Sequence, residues 1–232
     1  MTKQEFKDGQ VLLIDKPLNW TSFQVVNKVR WLIKQRFGLK KIKVGHAGTL
    51  DPLATGLLIL CTGKFTKKIE TFQAQEKEYT GTFTLGATTP SYDLETEIDQ
   101  TFDISEITSE EIKNATEQFT GEIQQQPPAF SALKKEGKRL YEYARAGEKV
   151  EIPTRTVHIS AFEITRIELP EVDFRVACSK GTYIRSLAHD FGKALDNGAH
   201  LSALRRTKIG DFSVENATTI EVFEQSLQTP SS

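Results

Sequence analysis

Residues 45–56 read GHAGTLDPLATG, a polar, glycine-rich stretch that runs directly into the apolar segment Leu57–Cys61. The segment predicts a buried strand, and the stretch before it predicts a loop that carries Asp51. Asp51 is the one acidic residue between positions 34 and 68, a span that holds eight lysines and arginines. Pro52 restricts the backbone before it to extended conformations, which fixes where the Asp51 carboxylate points. An ionised carboxylate held in this way suits nucleophilic attack or proton abstraction, although Asp-Pro pairs more often form turns or caps.

The segments on the N-terminal side of this loop predict a strand, a turn and a helix. Residues Gln10–Ile14 form an apolar run typical of a short strand, and the turn that follows contains a proline. Thr21 or Ser22 is expected to cap a helix whose apolar residues recur at helical spacing until Gly38. Residues 1–9 are expected to form an N-terminal tail.

The segments on the C-terminal side mix strands and helices without a regular βαβ alternation. Residues Tyr79–Leu85 alternate as in a strand, and Thr108–Glu111 match a helix capping box. Thr156–Ile167 and Val172–Cys178 predict a pair of strands, and Thr182 is expected to cap the helix that follows. This pattern predicts an α+β fold with a mixed, largely antiparallel central sheet flanked by helices.

Length and composition exclude several classes of protein. The 232 residues include 38% hydrophobic side chains and carry a net charge of −1, which excludes global disorder. No apolar run approaches the roughly 20 residues of a membrane span, and the N-terminus lacks the apolar core of a signal peptide. Two cysteines in apolar segments, with no Cys/His cluster at zinc spacing, predict a cytoplasmic protein without a metal site.

The near-neutral net charge hides an asymmetry along the chain. Residues 34–68 hold eight basic side chains and one acid, whereas residues 91–122 hold ten acids and one base. Two interpretations remain open: two solvated surfaces, or a basic surface that binds a polyanion.

Three further kinds of side chain are candidates for a functional site. Arg185 falls in the first turn of the last predicted helix, where its charge opposes the helix dipole by roughly 0.3–1 kcal/mol. A carboxylate partner would offset that cost, and a plain surface arginine is the alternative. Tyr79 and Tyr183 begin a strand and a helix beside charged residues, where they either stack on unpaired bases or pack half-buried. His46 is either an exposed hydrogen-bonding group or a satisfied loop histidine.

Taken in order, these segments resemble the motifs of the TruB family of pseudouridine synthases, over about residues 10–210. Six motifs carry the resemblance: Asp15-Lys16-Pro17 with Thr21-Ser22, the stretch at 45–56, Lys77-Glu78-Tyr79, the segment from Gln125 to Lys134, Cys178–Arg185, and Leu204-Arg205-Arg206.

Three positions depart from the family pattern. Asn19 stands where a glycine is usual, which its tolerance of left-handed backbone explains. Phe130 stands where tyrosine is common, and Pro90 stands where aspartate is frequent, which leaves Asp93 as the acid of that segment.

The resemblance implies roles for the matching residues. Asp51 is the expected catalytic aspartate, Arg185 its ion-pair partner, and Tyr79 the ring that stacks on the target base. The expected substrate contacts are His46, Tyr183, Lys16 and, as a pocket wall, Leu204. Arg205 and Arg206, together with lysines, are expected to bind phosphates.

The same resemblance implies a pseudouridine synthase fold with an RNA-clamping insertion at about 124–147. We expect a tail at 1–9, a catalytic domain at 10–212 and a short C-terminal extension at 213–232. Many family members continue into a PUA-type RNA-binding module, and this extension is expected to lack one, which is the largest departure from the family. The expected activity is isomerisation of uridine to pseudouridine at position 55 in the T-loop of tRNA, by base flipping and without a cofactor. The expected partner is the T-arm of tRNA, bound by a monomer that needs neither metal nor membrane. Two alternatives remain: a non-catalytic tRNA-folding factor, and a guide-RNA-dependent synthase subunit.

Overall fold

The computed structural model describes residues 1–131, 133–135, 137–148 and 150–228. In chain order the helices are α1 (Lys3–Asp8), α2 (Ser22–Phe37), α3 (Ile69–Ala74), α4 (Ser109–Asn114), α5 (Leu140–Arg145), α6 (Ile184–Ala194) and α7 (Ile220–Gln228). The strands are β1 (Val11–Lys16), β2 (Val44–His46), β3 (Ala54–Thr62), β4 (Lys77–Leu85), β5 (Ala87–Thr88), β6 (Gln100–Thr101), β7 (Gly121–Gln125), β8 (Lys134–Lys135), β9 (Lys138–Arg139), β10 (Arg155–Glu168), β11 (Glu171–Cys178), β12 (Ala199–Ile209) and β13 (Phe212–Ser213).

These elements fall into two units. The first comprises Met1–Tyr79 and the described residues from Arg205 onward, and the second comprises Thr80–Leu204. Both boundaries fall inside strands, so β4 and β12 each contribute residues to both units. The expectation that residues 10–212 act as one catalytic domain stays a prediction.

The first unit is built around β3, which pairs antiparallel with both β1 and β2 and lies between β1 and β12 in the sheet order. Alternate residues of β1 are buried, which is the period-two pattern of a strand with one face on a core. Helices α2 and α7 cover that face. The core between them is formed by Phe6, Leu12, Ile14, Val25, Val29, Leu32, Ile33, Leu58, Leu60, Ile220, Phe223 and Leu227.

The second unit follows the strand order β12, β4, β11, β10, β7. The pairs β10–β11 and β10–β7 are antiparallel. Phe83 stacks on Phe174 with ring centroids 4.1 Å apart, and Phe162 and Phe191 pack edge-on or tilted against them. Such aromatic pairs contribute about 0.5–1.5 kcal/mol beyond the area that they bury.

The predicted α+β fold and several of its elements are confirmed. Helix α2 begins where it was predicted, with Thr21 and Gln24 forming a capping box, and ends at Gly38 in the left-handed region with a φ of 59°. Thr108 and Glu111 likewise form a capping box, at the start of α4. Among the described residues, no helix combines the length and apolar character that a membrane span requires.

Other elements differ from the sequence prediction. The residue that caps α6 is Tyr183 rather than Thr182, whose hydroxyl instead donates to the Ser179 carbonyl at 3.0 Å. Residues 1–9, expected as a tail, contain α1, and Phe6 of this helix is fully buried. The sequence patterns predicted neither β7, β12 nor α7.

Candidate active site

The predicted site residues fall into two groups, one in each unit. Lys16, His46, Asp51 and Tyr79 belong to the first unit. Tyr183, Arg185 and Leu204 belong to the second unit.

In the first unit, the loop at 47–53 joins β2 to β3 and carries Asp51. The amide of Ala54 donates to the Asp51 carbonyl at 3.1 Å and closes a turn around the Asp-Pro pair. The Ser22 hydroxyl of α2 accepts from the Leu50 amide at 2.8 Å and donates to the Leu50 carbonyl at 3.1 Å. Leu50 is buried and Asp51 is half-buried. The half-buried carboxylate therefore lies on a loop whose backbone is held on both sides of it.

The turn after β1 is fastened to the same loop. Asn19 has a left-handed φ of 64°, as its replacement of a glycine predicted, and its amide donates to the Pro52 carbonyl at 2.8 Å. Lys16 has no exposed surface, and its ammonium donates to the carbonyls of Pro17 (2.9 Å), Trp20 (2.6 Å) and Pro52 (3.4 Å). Lys16 was expected among the substrate contacts, and its described bonds instead tie this turn to the loop.

Burial lowers the pKa of Lys16 from 10.5 to about 8, an effect that Asp51 opposes and Arg206 strengthens. An unfolded lysine keeps its ordinary pKa. Between pH 8 and 10.5, Lys16 is therefore mostly protonated in the unfolded chain and mostly neutral in the folded protein. Burial of this charge therefore lowers the free energy of unfolding in full below pH 8. This cost disappears as the pH rises from 8 to 10.5.

We expect Lys16→Met to lower the free energy of unfolding by about 2–4 kcal/mol at pH 7, because three carbonyls lose a charged donor. The gap between wild type and variant should widen at a pH of about 9.5, where only the wild type gains from losing the proton. Urea unfolding at both pH values measures this difference. Lys28→Met, at a partly exposed lysine of α2, is the control and should change stability by less than about 1 kcal/mol. An equal gap at both pH values would contradict a lowered pKa for Lys16.

The rings of His46 and Tyr79 are both less exposed than a ring that stacks on an unpaired base from the protein surface would be. His46 ends β2 and is half-buried, and burial lowers its pKa below the ordinary value, with Arg206 adding to the effect. Its Nδ1 atom is buried and has no hydrogen-bond partner among the described residues. Tyr79, in β4, is 9% exposed. Burial therefore favours the neutral form of the His46 imidazole, an effect that a hydrogen bond to the Gly48 backbone partly opposes.

In the second unit, Arg185 lies in the first turn of α6 and is 5% exposed. Its Nη1 donates to the carbonyls of Phe130 (2.9 Å) and Ser91 (3.4 Å). Its Nε lies 3.6 Å from the carboxylate of Asp93, which is equally buried. The surface-arginine alternative is therefore wrong, and a carboxylate does offset the unfavourable position in the helix.

The backbone conformation and hydrogen bonds around Asp93 fix the position of its carboxylate. Tyr92 adopts a left-handed φ of 64°, which is uncommon for a bulky residue. The hydroxyls of Thr89 and Ser91 donate to the Asp93 carbonyl at 2.6 and 3.2 Å, and the Glu95 amide donates to its Oδ1 at 2.9 Å. The sequence singled out Asp93 as the acid of this segment but gave it no role. Its pairing with Arg185, 92 positions later in the chain, could not be recognised from the residues next to either one in the sequence.

Two residues that the sequence did not single out hold Tyr183. The Gln125 side chain is fully buried, accepts from the Tyr183 amide at 2.8 Å and donates to the Tyr183 carbonyl at 3.0 Å. The Arg155 guanidinium lies 4.5 Å from the centroid of the Tyr183 ring. Leu204 is half-buried in β12. The backbone and the ring of Tyr183 are thus both fixed, which suits a residue that contacts a ligand.

Arg205 and Arg206, both expected to bind phosphates, have protein partners. Arg205 donates to both carboxylate oxygens of Asp15, at 3.1 and 2.6 Å. Arg206 is 1% exposed, and its described bonds all go to backbone carbonyls. Adjacent arginines on a strand point to opposite faces, which is why one is partly exposed and the other buried.

The insertion at 124–147 contains the hairpin β8–β9 and the predicted short helix, α5. Arg145 at the end of α5 donates to the Glu95 carboxylate at 2.7 Å. Both side chains of this pair are exposed enough that water screens it.

Sequence comparisons cover nearly the whole chain. Residues 34–184 match the TruB family pseudouridylate synthase N-terminal domain, and residues 185–230 match the tRNA pseudouridylate synthase B C-terminal domain. The tRNA pseudouridine synthase B of Flavobacterium johnsoniae is 67% identical over 229 residues, covering 98% of this chain and 100% of the relative. That of Phocaeicola vulgatus is 56% identical over 220 residues, covering 95% and 94%.

Solved structures show the same fold. A crystal structure of a Cbf5-Nop10-Gar1 complex matches with a TM-score of 0.72 and 32% identity, over 96% of this chain and 55% of that one. A structure of an H/ACA RNP bound to a substrate RNA matches with a TM-score of 0.68 and 30% identity, over 95% and 53%. The chain spans about half the length of these solved chains.

Matches of this extent show that the chain belongs to the TruB family of pseudouridylate synthases. The predicted pseudouridine synthase fold is thereby confirmed. Within the family it is a tRNA pseudouridine synthase, an isomerase that converts uridine to pseudouridine in tRNA, as the sequence motifs predicted.

Proposed function

We propose that this enzyme modifies the uridine at position 55 in the T-loop of tRNA, with Asp51 as the catalytic carboxylate. The observation that carries the proposal is the Asp51 loop: an acidic side chain in basic surroundings, on a backbone held by Ser22 and Ala54. A reacting group needs a fixed position relative to its substrate, and this loop provides it.

The reaction breaks the N-glycosidic bond, turns the uracil and rejoins it to the ribose through carbon. Product and substrate have the same atoms, so the reaction needs no cofactor. Asp51 acts in one of three ways: it adds to the ribose, adds to the base ring, or removes a ribose proton. Each of them requires an ionised carboxylate.

The other site residues serve binding and orientation in this proposal. Arg185 pairs with Asp51 and orients its carboxylate. Tyr79 and Leu204 hold the uracil after it leaves the stack, a step that costs a few kcal/mol and is cheapest for a loop nucleotide. His46 and Tyr183 contact the substrate.

Exposed cations supply the affinity for the RNA backbone. Seven basic side chains between positions 34 and 68 are exposed: Arg36, Lys40, Lys41, Lys43, Lys64, Lys67 and Lys68. Phosphate contacts of this kind give most of the affinity without reading sequence. The proposed partner is the T-arm of cytoplasmic tRNA, bound by a monomer.

The decisive experiment incubates the purified protein alone with an unmodified tRNA transcript and maps pseudouridine along it. The proposal expects complete conversion at position 55 and none elsewhere. A transcript with cytidine at position 55 is the matched control and should yield no product. Binding without product would instead identify a tRNA-folding factor, and product that requires an added guide RNA would identify a guide-dependent subunit.

We also expect an isolated T-arm hairpin to be modified nearly as well as whole tRNA. Residues 209–228 contain no lysine or arginine, and α7 turns its apolar face to the core, so this segment offers phosphates no cation. The acids Asp211, Glu215, Glu221 and Glu224 repel phosphate there. The measurement is kcat/KM on both substrates at the same salt concentration. A loss on the hairpin beyond about a hundredfold, or about 2.7 kcal/mol, would contradict the prediction.

A further inference from the structure

Arg206 is the largest side chain with almost no exposed surface in the described part of the chain. Its Nε donates to the Leu57 carbonyl at 2.8 Å and its Nη2 to the Gly48 carbonyl at 3.1 Å. Its Nη1 lies 3.5 Å from the Thr49 carbonyl, at the outer limit of a hydrogen bond. Strand β12 thus supplies one guanidinium that reaches both the Asp51 loop and the strand β3 that follows it.

A buried guanidinium is costly unless its donors are satisfied. The described bonds of Arg206 are to backbone carbonyls, which leaves its positive charge uncompensated by these contacts. Lys16, the second fully buried cation of this unit, donates to the Pro52 carbonyl from the other side. Buried cations therefore contact the backbone three and two residues before Asp51 and one residue after it.

Two glycines with left-handed backbone lie close to Arg206, one in the loop and one in β3. Gly48 has a φ of 99°, and a Cβ atom there would lie 3.5 Å from Nη1 of Arg206. Gly56 has a φ of 104°, and a Cβ atom there would lie 2.3 Å from the Arg206 carbonyl. Both glycines adopt backbone that L-residues rarely adopt, on either side of the loop. At Gly56 a side chain would collide with the Arg206 backbone, whereas at Gly48 only the left-handed backbone disfavours one.

We propose that Arg206 is a positioning residue for the uridine isomerisation, because it sets the backbone of residues 47–53 and thereby the place of the Asp51 carboxylate. This inference rests on the proposed role of Asp51. Arg206 has too little exposed surface to bind RNA, so it acts on the rate of the chemical step and not on tRNA affinity. Lysine cannot replace it, since one ammonium lacks the planar fork that reaches carbonyls in separate directions.

The test is Arg206→Lys, which keeps the charge and most of the volume, compared with Arg30→Lys as matched control. Arg30 is partly buried and also donates to a backbone carbonyl, that of Val44 at 2.9 Å, but not to one in the loop. We expect Arg206→Lys to slow single-turnover conversion of saturating tRNA about a hundredfold, the scale of a misplacement of about 1 Å. The dissociation constant for tRNA should stay within about threefold of wild type, because phosphate contacts set it. Arg30→Lys should leave both quantities within about threefold.

Amide hydrogen exchange gives a second readout that does not depend on activity. The loop amides at 47–53 should exchange faster in Arg206→Lys, with the rest of the chain unchanged, and should be unaffected in Arg30→Lys. A normal rate and normal loop exchange in Arg206→Lys would overturn the proposal. The proposal would also be overturned if both variants lost the same rate and their amides exchanged faster throughout the chain. That result would make Arg206 an ordinary core residue. If the wild type makes no pseudouridine, the proposed function fails, and loop exchange still decides whether Arg206 holds the loop.

Discussion

Asp51→Asn should abolish pseudouridine formation while tRNA binding survives. Asparagine keeps the shape of the side chain and the backbone bonds of the loop, but it cannot act as an ionised nucleophile or base. We expect the rate of single-turnover conversion to fall by about 10⁴-fold or more, the scale of removing a reacting group. The dissociation constant for tRNA, measured by filter binding, should change by less than about threefold, since phosphate contacts dominate it.

Asp211→Asn removes one carboxylate from an exposed turn and is the matched control. It should convert tRNA at the wild-type rate. Turnover by Asp51→Asn near the wild-type rate would show that Asp51 is a turn-forming residue and that another group performs the reaction. If Asp51→Asn lost both tRNA binding and turnover, Asp51 would act in tRNA recognition instead.

Local chemistry explains which parts of this fold were predictable. The capping box of α2 lies at the first residues of the helix, and the glycine that ends it directly follows the last one. Asn19 was predicted in left-handed backbone because few other side chains tolerate it, and its φ of 64° agrees. Features of this kind depend on neighbours a few positions away, which a sequence displays directly.

The buried cations of the site were not predictable for the opposite reason. Lysine and arginine are almost never fully buried unless they are paired, and the family resemblance implies that Lys16 contacts substrate and that Arg206 binds phosphate. One of the carbonyls that Lys16 contacts, that of Pro52, is 36 positions away, and Arg206 donates to a loop more than 150 positions earlier. The same holds for β12, whose polar and charged residues give no alternation until its neighbours in the sheet are known.

Arg185→Lys should reduce kcat severely, by about 10²–10³-fold. The Arg185 guanidinium makes bonds in several directions at once, to the carbonyls of Phe130 and Ser91 and, at 3.6 Å, to the Asp93 carboxylate. A lysine ammonium keeps the charge but has no planar fork, so it cannot hold these partners and orient a second carboxylate. Each charged hydrogen bond contributes roughly 1.5–3 kcal/mol, and a combined loss of about 3–4 kcal/mol corresponds to the expected factor.

The control for this substitution is Arg175→Lys, at a partly exposed arginine of β11 that pairs with Glu163 at 2.6 Å. A surface pair of this kind contributes less than about 1 kcal/mol, so Arg175→Lys should convert tRNA at the wild-type rate. The measurement is kcat and KM on the same tRNA for both variants, with thermal unfolding to check the fold. A fall in kcat with KM nearly unchanged, in a variant that still unfolds cooperatively above the assay temperature, is the result expected of a residue that orients the reacting carboxylate. Nearly normal kcat in a folded Arg185→Lys would mean that Arg185 only braces α6 against Asp93, and that Asp51 is oriented by its own loop alone.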